Sequence, residues 1–542
     1  MEKIIKSFAR RFVRLALVCI SGAATLAHAQ APGSFDATFA AGTANIATVA
    51  FATIFDRGNA VALQPDGKIV IAGYCYDANQ YAPPSDVCIA RFNTDGTLDS
   101  SFAGPGGNGN GKFTLRIGAA RASDGLQYDR ANAVAIQPNG KIVIAGQCSN
   151  GYNDDFCIAR LNSNGSFDTS FIGPNIASTG AGKVLLTIGA AIPSPFGTTD
   201  DVATAVLLQP DGKIVVSGYC GTKFCVARLN ETGSLDASFA GEFSVGQFTL
   251  LSAAVAYNHS VSVALQSDGK IVLAGHCDNN TFCMHRINGN GSYDTSFGIF
   301  NTYGFTNFDF SAGSLIAGAG AVALQADGQI VVAGTCRINT SGNFNLCIAR
   351  YGSNGKRRDA SFGPTANGDV PFGIDTFFGS LALQPDGKIV LNGYCAAGGL
   401  QLSVCIARLT SEGKLDTTFD GNSSNGDGKI VLTGSAFTQS TAMALQQDGK
   451  IVLAGVCQAS FDSNFCLTRL NGGPFEAKQC SLDIDGDGLV LATTDVLIHT
   501  RIALGIKGPA VIGGINFPAN AKRKTWPLIR DFLFSQCGVA VY

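Results

Sequence analysis

One unit of sequence recurs seven times along this chain, and each copy carries its own pair of cysteines. The clearest core, LQPDGKIVIAGYC at 63–75, returns as IQPNGKIVIAGQC at 136–148 and LQPDGKIVVSGYC at 208–220. Four more copies begin at Leu265, Leu324, Leu383 and Leu445. A second cysteine follows each core in the pattern C-x-x-R, from Cys88 and Arg91 to Cys466 and Arg469. A unit of this size cannot bury its apolar face alone, so the copies must pack on one another and build a repeat architecture.

Each copy reads as four short strands rich in β-branched residues. GKFTLRIG (111–118) is taken as the first, AVALQ (60–64) as the second, KIVIAGYC (68–75) as the third and CIARFN (88–93) as the fourth. Pro65-Asp66-Gly67 joins the second and third. Proline presets φ, aspartate bonds the backbone ahead, and glycine accepts a left-handed conformation, which makes a tight structural turn. A D-x-[ST]-F motif follows six of the C-x-x-R segments, at 99–102, 168–171, 236–239, 294–297, 359–362 and 416–419. The seventh does not follow Arg469 but stands near the start, at 36–39. The chain therefore begins at the repeat phase where it stops, as a closed ring requires. The expectation is an all-β fold, a seven-bladed β-propeller of four-stranded disulfide-stapled repeats.

The first 29 residues have the features of a secretory leader. Lys3, Lys6, Arg10, Arg11 and Arg14 open it, an apolar stretch from Leu15 to Leu26 is too short to span a bilayer, and Ala27-His28-Ala29 supplies a small-x-small cleavage site. No later stretch is long and apolar enough for a transmembrane segment. One of the 17 cysteines lies in this leader, and the remaining even number in an exported chain reads as disulfides. The expected repeat pairs are Cys75–Cys88, Cys148–Cys157, Cys220–Cys225, Cys277–Cys283, Cys336–Cys347, Cys395–Cys405 and Cys457–Cys466, with Cys480–Cys537 beyond them. Leader removal takes away five basic residues and Glu2, moving the formal net charge from −2 to −6. That acidity argues against nucleic acid or an anionic membrane as partner.

The LQPDGKIV…G…LDxSF pattern resembles the delta-60 repeat family of bacterial exported proteins over about residues 33–471. The resemblance implies a propeller-like repeat and no common activity. The domain reading is a leader at 1–29, the propeller at 30–474 and a different module at 475–542.

That C-terminal module opens CSLDIDGDGLVLATTDV. Asp483, Asp485 and Asp487 alternate and Gly488 follows, which is the opening half of an EF-hand-type Ca²⁺ loop. Leu489 would offer its carbonyl. Position 12 is Thr494 where an acid is usual, and Asp495 stands one residue later. The loop is similar to that of dockerin-like modules, but only one copy is present. One Ca²⁺ is expected, since three crowded carboxylates repel unless a cation lies among them. A helix is expected from Thr494 onward, and a second over 526–534.

No G-x-S-x-G elbow, H-E-x-x-H or phosphate loop occurs in the chain. No catalytic residue is assigned. The histidines His259, His276, His285 and His499 are scattered. Arg91 and its equivalents recur in every unit and read as structural anchors. Hairpins with constant stems and tips of variable length can carry a recognition surface. The expected function is an exported, monomeric, non-enzymatic binding scaffold for a protein or glycan outside the cytoplasm, whether secreted, periplasmic or at the cell surface. The alternative is a hydrolase or lyase acting on extracellular polymers in the propeller channel.

Overall fold

A computed structural model describes most of residues 31–473 and parts of 483–529. Residues 1–30, 474–482 and 530–542 lie outside the described residues, as do several loop segments, among them 77–83, 189–199, 250–258 and 397–401. The leader, Cys480, Cys537 and Asp487 therefore fall outside the description, and so does most of the expected second helix.

The proline–aspartate–glycine turns form as their chemistry dictates. The Lys68 amide donates to the Asp66 carboxylate at 3.1 Å and Gly67 adopts φ +81°. The turn joins strand Phe55–Leu63 to strand Ile69–Tyr76, which pairs in turn with Ser85–Phe92. Lys112–Leu115 completes this sheet on the outside. The GKFTL segment thus closes the unit before it rather than opening the next. The D-x-[ST]-F turn reverses the chain, with the Asp99 amide donating to the Arg91 carbonyl at 2.9 Å and the Arg91 amide to the Gly111 carbonyl at 2.9 Å.

The same antiparallel meander recurs, and the described strands group into six sheets. The eight-stranded sheet is two such units joined by one parallel bridge, Phe55 to Ser463. The outer strand of the last unit is Ile46–Val49, from the start of the chain, paired antiparallel with Asp462–Leu470. First strands of successive units touch in order, and Phe437–Leu445 of the last touches Phe55–Leu63 of the first. Side chains bridge that inner ring: Asn59 Nδ2 donates to the Ala131 carbonyl (2.9 Å), Asn132 Nδ2 to Ala203 (2.9 Å), and Thr441 Oγ1 back to Gly58 (2.5 Å). The chain is an all-β propeller.

The IVIA run of each core is apolar at consecutive positions because both faces of the strand are covered. Val70 and Ala72 pack on Ala131, Ile142 and Ile144 of the next unit. Ile69 and Ile71 pack on Val452, Ala454 and Phe465 of the preceding one. Each fully buried valine, isoleucine or phenylalanine among them contributes about 1.5–3 kcal/mol. The core therefore lies between units, which is why no single unit suffices.

Candidate functional site

The invariant arginines are fully engaged. Arg160 Nε donates to Asp168 at 2.6 Å, Nη2 to Ser170 Oγ at 3.3 Å, and Nη1 to the Glu231 carbonyl of the next unit, while its guanidinium lies 4.5 Å from the Phe171 ring centre. Lys141 adds a second cation, 2.8 Å from Asp168. The pattern repeats at Arg91, Arg228, Arg286, Arg350 and Arg408. At Arg469 the partner is Asp36 (2.7 Å), and Nη1 reaches the Thr94 carbonyl (2.6 Å), so the displaced motif closes the ring. Burial alone would raise the Asp36 carboxyl; hydrogen bonds from Thr38 and Lys450 and the charge of Arg469 outweigh it and hold Asp36 at about 2. These groups are engaged in contacts that join one unit to the next.

At the other end of the sheets, six of the expected disulfides are formed: Cys75–Cys88, Cys148–Cys157, Cys220–Cys225, Cys336–Cys347, Cys395–Cys405 and Cys457–Cys466. Cys283 is also disulfide-bonded, and the side chain of Cys277 lies outside the described residues. The second cysteine of each pair sits inside its strand rather than at its start. Cys88 faces Gly73 and Cys75 faces Asp86, so the bond runs diagonally across the strand pair with Cα atoms 5.8 Å apart. Glycine is required opposite, because a Cβ on Gly73 would stand 1.9 Å from the Arg57 carbonyl, where the inner strand bulges.

Three aspartates that sequence reasoning passed over sit at this end. Asp56, Asp129 and Asp201 occupy one repeat position, opposite the first cysteine, and all are buried. Asp129 accepts from the Ile117 and Gly118 amides (2.6 and 3.1 Å), and Asp201 from Ile188 (2.8 Å). They satisfy the chain where it crosses from one unit to the next. Burial pushes Asp129 up and raises Asp201 to about 7, with the neighbouring Asp155 and Asp200 charges adding to the latter.

The same end carries a cluster found on only a few units. Phe55 and Tyr76 stack at 5.1 Å between centroids, and Tyr74 lies nearly parallel to Tyr76 at 6.2 Å. Arg130 of the second unit reaches over the Tyr74 ring at 4.7 Å. Arg57, its equivalent in the first, donates to Gln439 Oε1 (3.0 Å) and Asn59 Oδ1 (3.3 Å). The shared signal D-R-x-N-A-V-A at 56–62 and 129–135 was present in the sequence. What the repeat pattern could not show was that both arginines stand on the innermost strands. Burial pushes the Tyr76 hydroxyl up, and the neighbouring Tyr74 adds to this against the charge of Arg130. Among the histidines, His285 is buried against Phe224 (5.6 Å), and His276 pairs across strands with His259.

In the C-terminal module, carboxylate oxygens of Asp483, Asp485 and Asp495 lie within 4.8 Å of one another. Asp495 opens the helix Asp495–Ala503 and accepts from the Asp485 and Leu491 amides, both at 2.9 Å. Thr494 is buried and donates its hydroxyl to Asp495 at 3.0 Å. Leu489 is 59% exposed. Arg523 borders the loop, donating to the Ile484 and Asp483 carbonyls at 2.6 and 2.8 Å. Ile484, Ile498, Val511, Trp526 and Ile529 form a core of the module's own.

Fold and ring define the class as a β-propeller repeat protein. Six segments, at 64–102, 137–171, 209–239, 266–297, 325–362 and 384–419, match a family described as "Domain of unknown function (DUF5122) beta-propeller". Among solved structures, similarity extends to a protein of unknown function from Dyadobacter fermentans, at 13% identity and TM-score 0.36 over 63% of this chain and 94% of that one. An ulvan lyase of a new polysaccharide lyase family shows 10% identity and TM-score 0.37 over 62% and 80%. The β-propeller domain of the Trilobed protease from Pyrococcus furiosus shows 10% identity and TM-score 0.34 over 77% and 96%. No curated protein matches. The six disulfides fit an oxidising compartment, and no helix among the described residues is long and apolar enough to cross a membrane.

Proposed function

We propose that the protein is an exported, non-enzymatic scaffold, a propeller over residues 30–474, that binds an extracellular or cell-envelope ligand with the end carrying the stapled hairpins. One observation carries this reading. The repeat-wide charged groups are consumed at the opposite end by inter-unit anchoring, whereas the hairpin end combines rigid disulfide-held stems with tips whose lengths differ between units. Rigid stems lower the ordering cost of binding. A pull-down of glycans and cell-envelope extract with the leaderless protein tests it. Retention that is lost when the 77–83 tip is shortened supports the reading; no retention from any extract refutes it. The alternative, polymer cleavage in the channel, predicts new reducing ends or an unsaturated, ultraviolet-absorbing product.

We also propose that the C-terminal module holds one Ca²⁺. The convergence of Asp483, Asp485 and Asp495 supports this, because hard oxygen donors at close range suit that ion. Asp487 and the Leu489 carbonyl would complete the set. Arg523 opposes it electrostatically. Calorimetric titration of the leaderless chain is expected to give a dissociation constant of about 10⁻⁴–10⁻³ M, tighter in Arg523→Gln and absent in Asp483→Ala/Asp495→Ala. Absence of binding heat in the unaltered chain at millimolar Ca²⁺ would leave the loop a simple turn.

A further inference from the structure

We propose that Phe55, Arg57, Tyr74, Tyr76 and Arg130 form a binding platform for an acidic polysaccharide, one bearing carboxylate or sulfate groups on its sugars. The inference rests on the binding reading above and names its ligand class.

The charge argument comes first. Each of the seven repeat arginines is matched by an aspartate, as are Arg116 and Arg121. Arg57 and Arg130 are different. Among the described residues their hydrogen bonds go to neutral oxygens, those of Gln439 and Asn59 for Arg57 and that of Ser85 for Arg130. Guanidinium stays charged at any relevant pH, and its fork of donors matches a carboxylate or sulfate. Both side chains are partly exposed on adjacent innermost strands. A net-acidic protein thus places on adjacent inner strands two cations that have no carboxylate partner among the described residues.

The aromatic argument is independent. Phe55 is 40% exposed, and Tyr74 and Tyr76 are partly exposed. Adjacent exposed rings with polar groups at their margin form the kind of patch that binds ligands. A pyranose offers an apolar C–H face that lies flat on such rings, while its hydroxyls reach a phenol or an amide. Gln439 and Asn59 orient Arg57, and Tyr74 supports Arg130 from beneath at 4.7 Å, so the charged groups are held beside the rings before a ligand arrives. Two cations are too few for the electrostatic footprint of nucleic acid, which is therefore disfavoured as ligand.

The test is calorimetry and affinity electrophoresis on the whole leaderless chain with polygalacturonate, dextran sulfate, neutral dextran and oligothymidylate. At least one acidic polysaccharide is expected to bind about tenfold or more tightly than dextran. The polygalacturonate and dextran sulfate arms tell carboxylate from sulfate recognition. Arg57→Gln/Arg130→Gln and Tyr74→Ala/Tyr76→Ala are each expected to weaken binding about tenfold or more with circular dichroism unchanged. Comparing acidic with neutral polymer on the unaltered protein keeps the test decisive if a variant misfolds. Equal binding of dextran, tighter binding of oligothymidylate, no binding of either acidic polymer, or acidic binding unaffected by both double variants would each overturn the platform. Envelope material retained by the double variants would overturn it while leaving the scaffold reading intact.

Discussion

Arg160 is an apolar-sized side chain's worth of volume spent on a charge that is almost fully buried, and its value lies in joining two units. Its side chain is 2% exposed, against 14% for Arg350 at the equivalent place. Removing one partner of a buried pair strands the other, at about 3–5 kcal/mol, whereas a more solvated pair is worth less. Arg160→Ala is therefore expected to lower the denaturant midpoint clearly more than Arg350→Ala; equal losses would contradict the burial argument. Asp201 works in the opposite sense. Its carboxyl is pushed up to about 7 in the folded state from an ordinary value of 3.8. The folded chain thus holds a proton that the unfolded chain releases, and stability present at pH 4 is lost as pH rises towards 7. Asp36, Asp236 and Asp294, held at about 2, add stability above pH 4 that is lost only as pH falls towards 2. Denaturation curves between pH 4 and 8 should show declining stability, with a shallower decline in Asp201→Asn.

At the scale of the element, the glycine of the A-G-x-C segment governs how a diagonal disulfide and a bulged inner strand coexist. A Cβ at Gly146 would meet the Arg130 carbonyl at 1.9 Å, and backbone cannot yield as a flexible side chain would. Gly146→Ala is expected to cost about 1–3 kcal/mol or more through overpacking, read as a fall in thermal midpoint, and to disturb Arg130 above it. Sequence reasoning found the strands and turns here because two strong local signals coincide, the β-branched run and the proline–aspartate–glycine turn. It placed Lys112–Leu115 in the wrong unit. Strand identity is local, but the partner a strand chooses depends on the direction of the turn before it, and that turn is anchored by hydrogen bonds of Arg91 to Asp99, eight residues on, and to Gly111, twenty residues on, just before the strand.

Across the whole ring, closure depends on residues at opposite ends of the repeat region. Ile46–Val49 covers Asp462–Leu470, Asp36 pairs with Arg469, and the Gly33 amide donates to the Asn471 carbonyl at 2.6 Å. A chain lacking residues 30–50 loses all of these and exposes Phe465 and Leu467, which are now fully buried. It is expected to aggregate or unfold at distinctly lower denaturant, seen by size-exclusion chromatography and circular dichroism. Retention of the full midpoint would mean that the ring does not depend on this seam.

The amino-acid sequence by itself determined the repeated unit, its turns, the pairing of the described repeat cysteines and the seam, because each is written in short-range patterns repeated along the chain. The shift of D-x-[ST]-F to 36–39 was enough to imply closure. Tertiary structure alone decided what lies at the centre. Arg57 and Arg130 look like ordinary surface variation until the inner strands are placed side by side, and Tyr74 and Tyr76 look like strand residues until their rings are seen stacked beneath Arg130. Repetition specifies what every unit shares. The residues that differ between units come together only when the ring places separate repeats side by side.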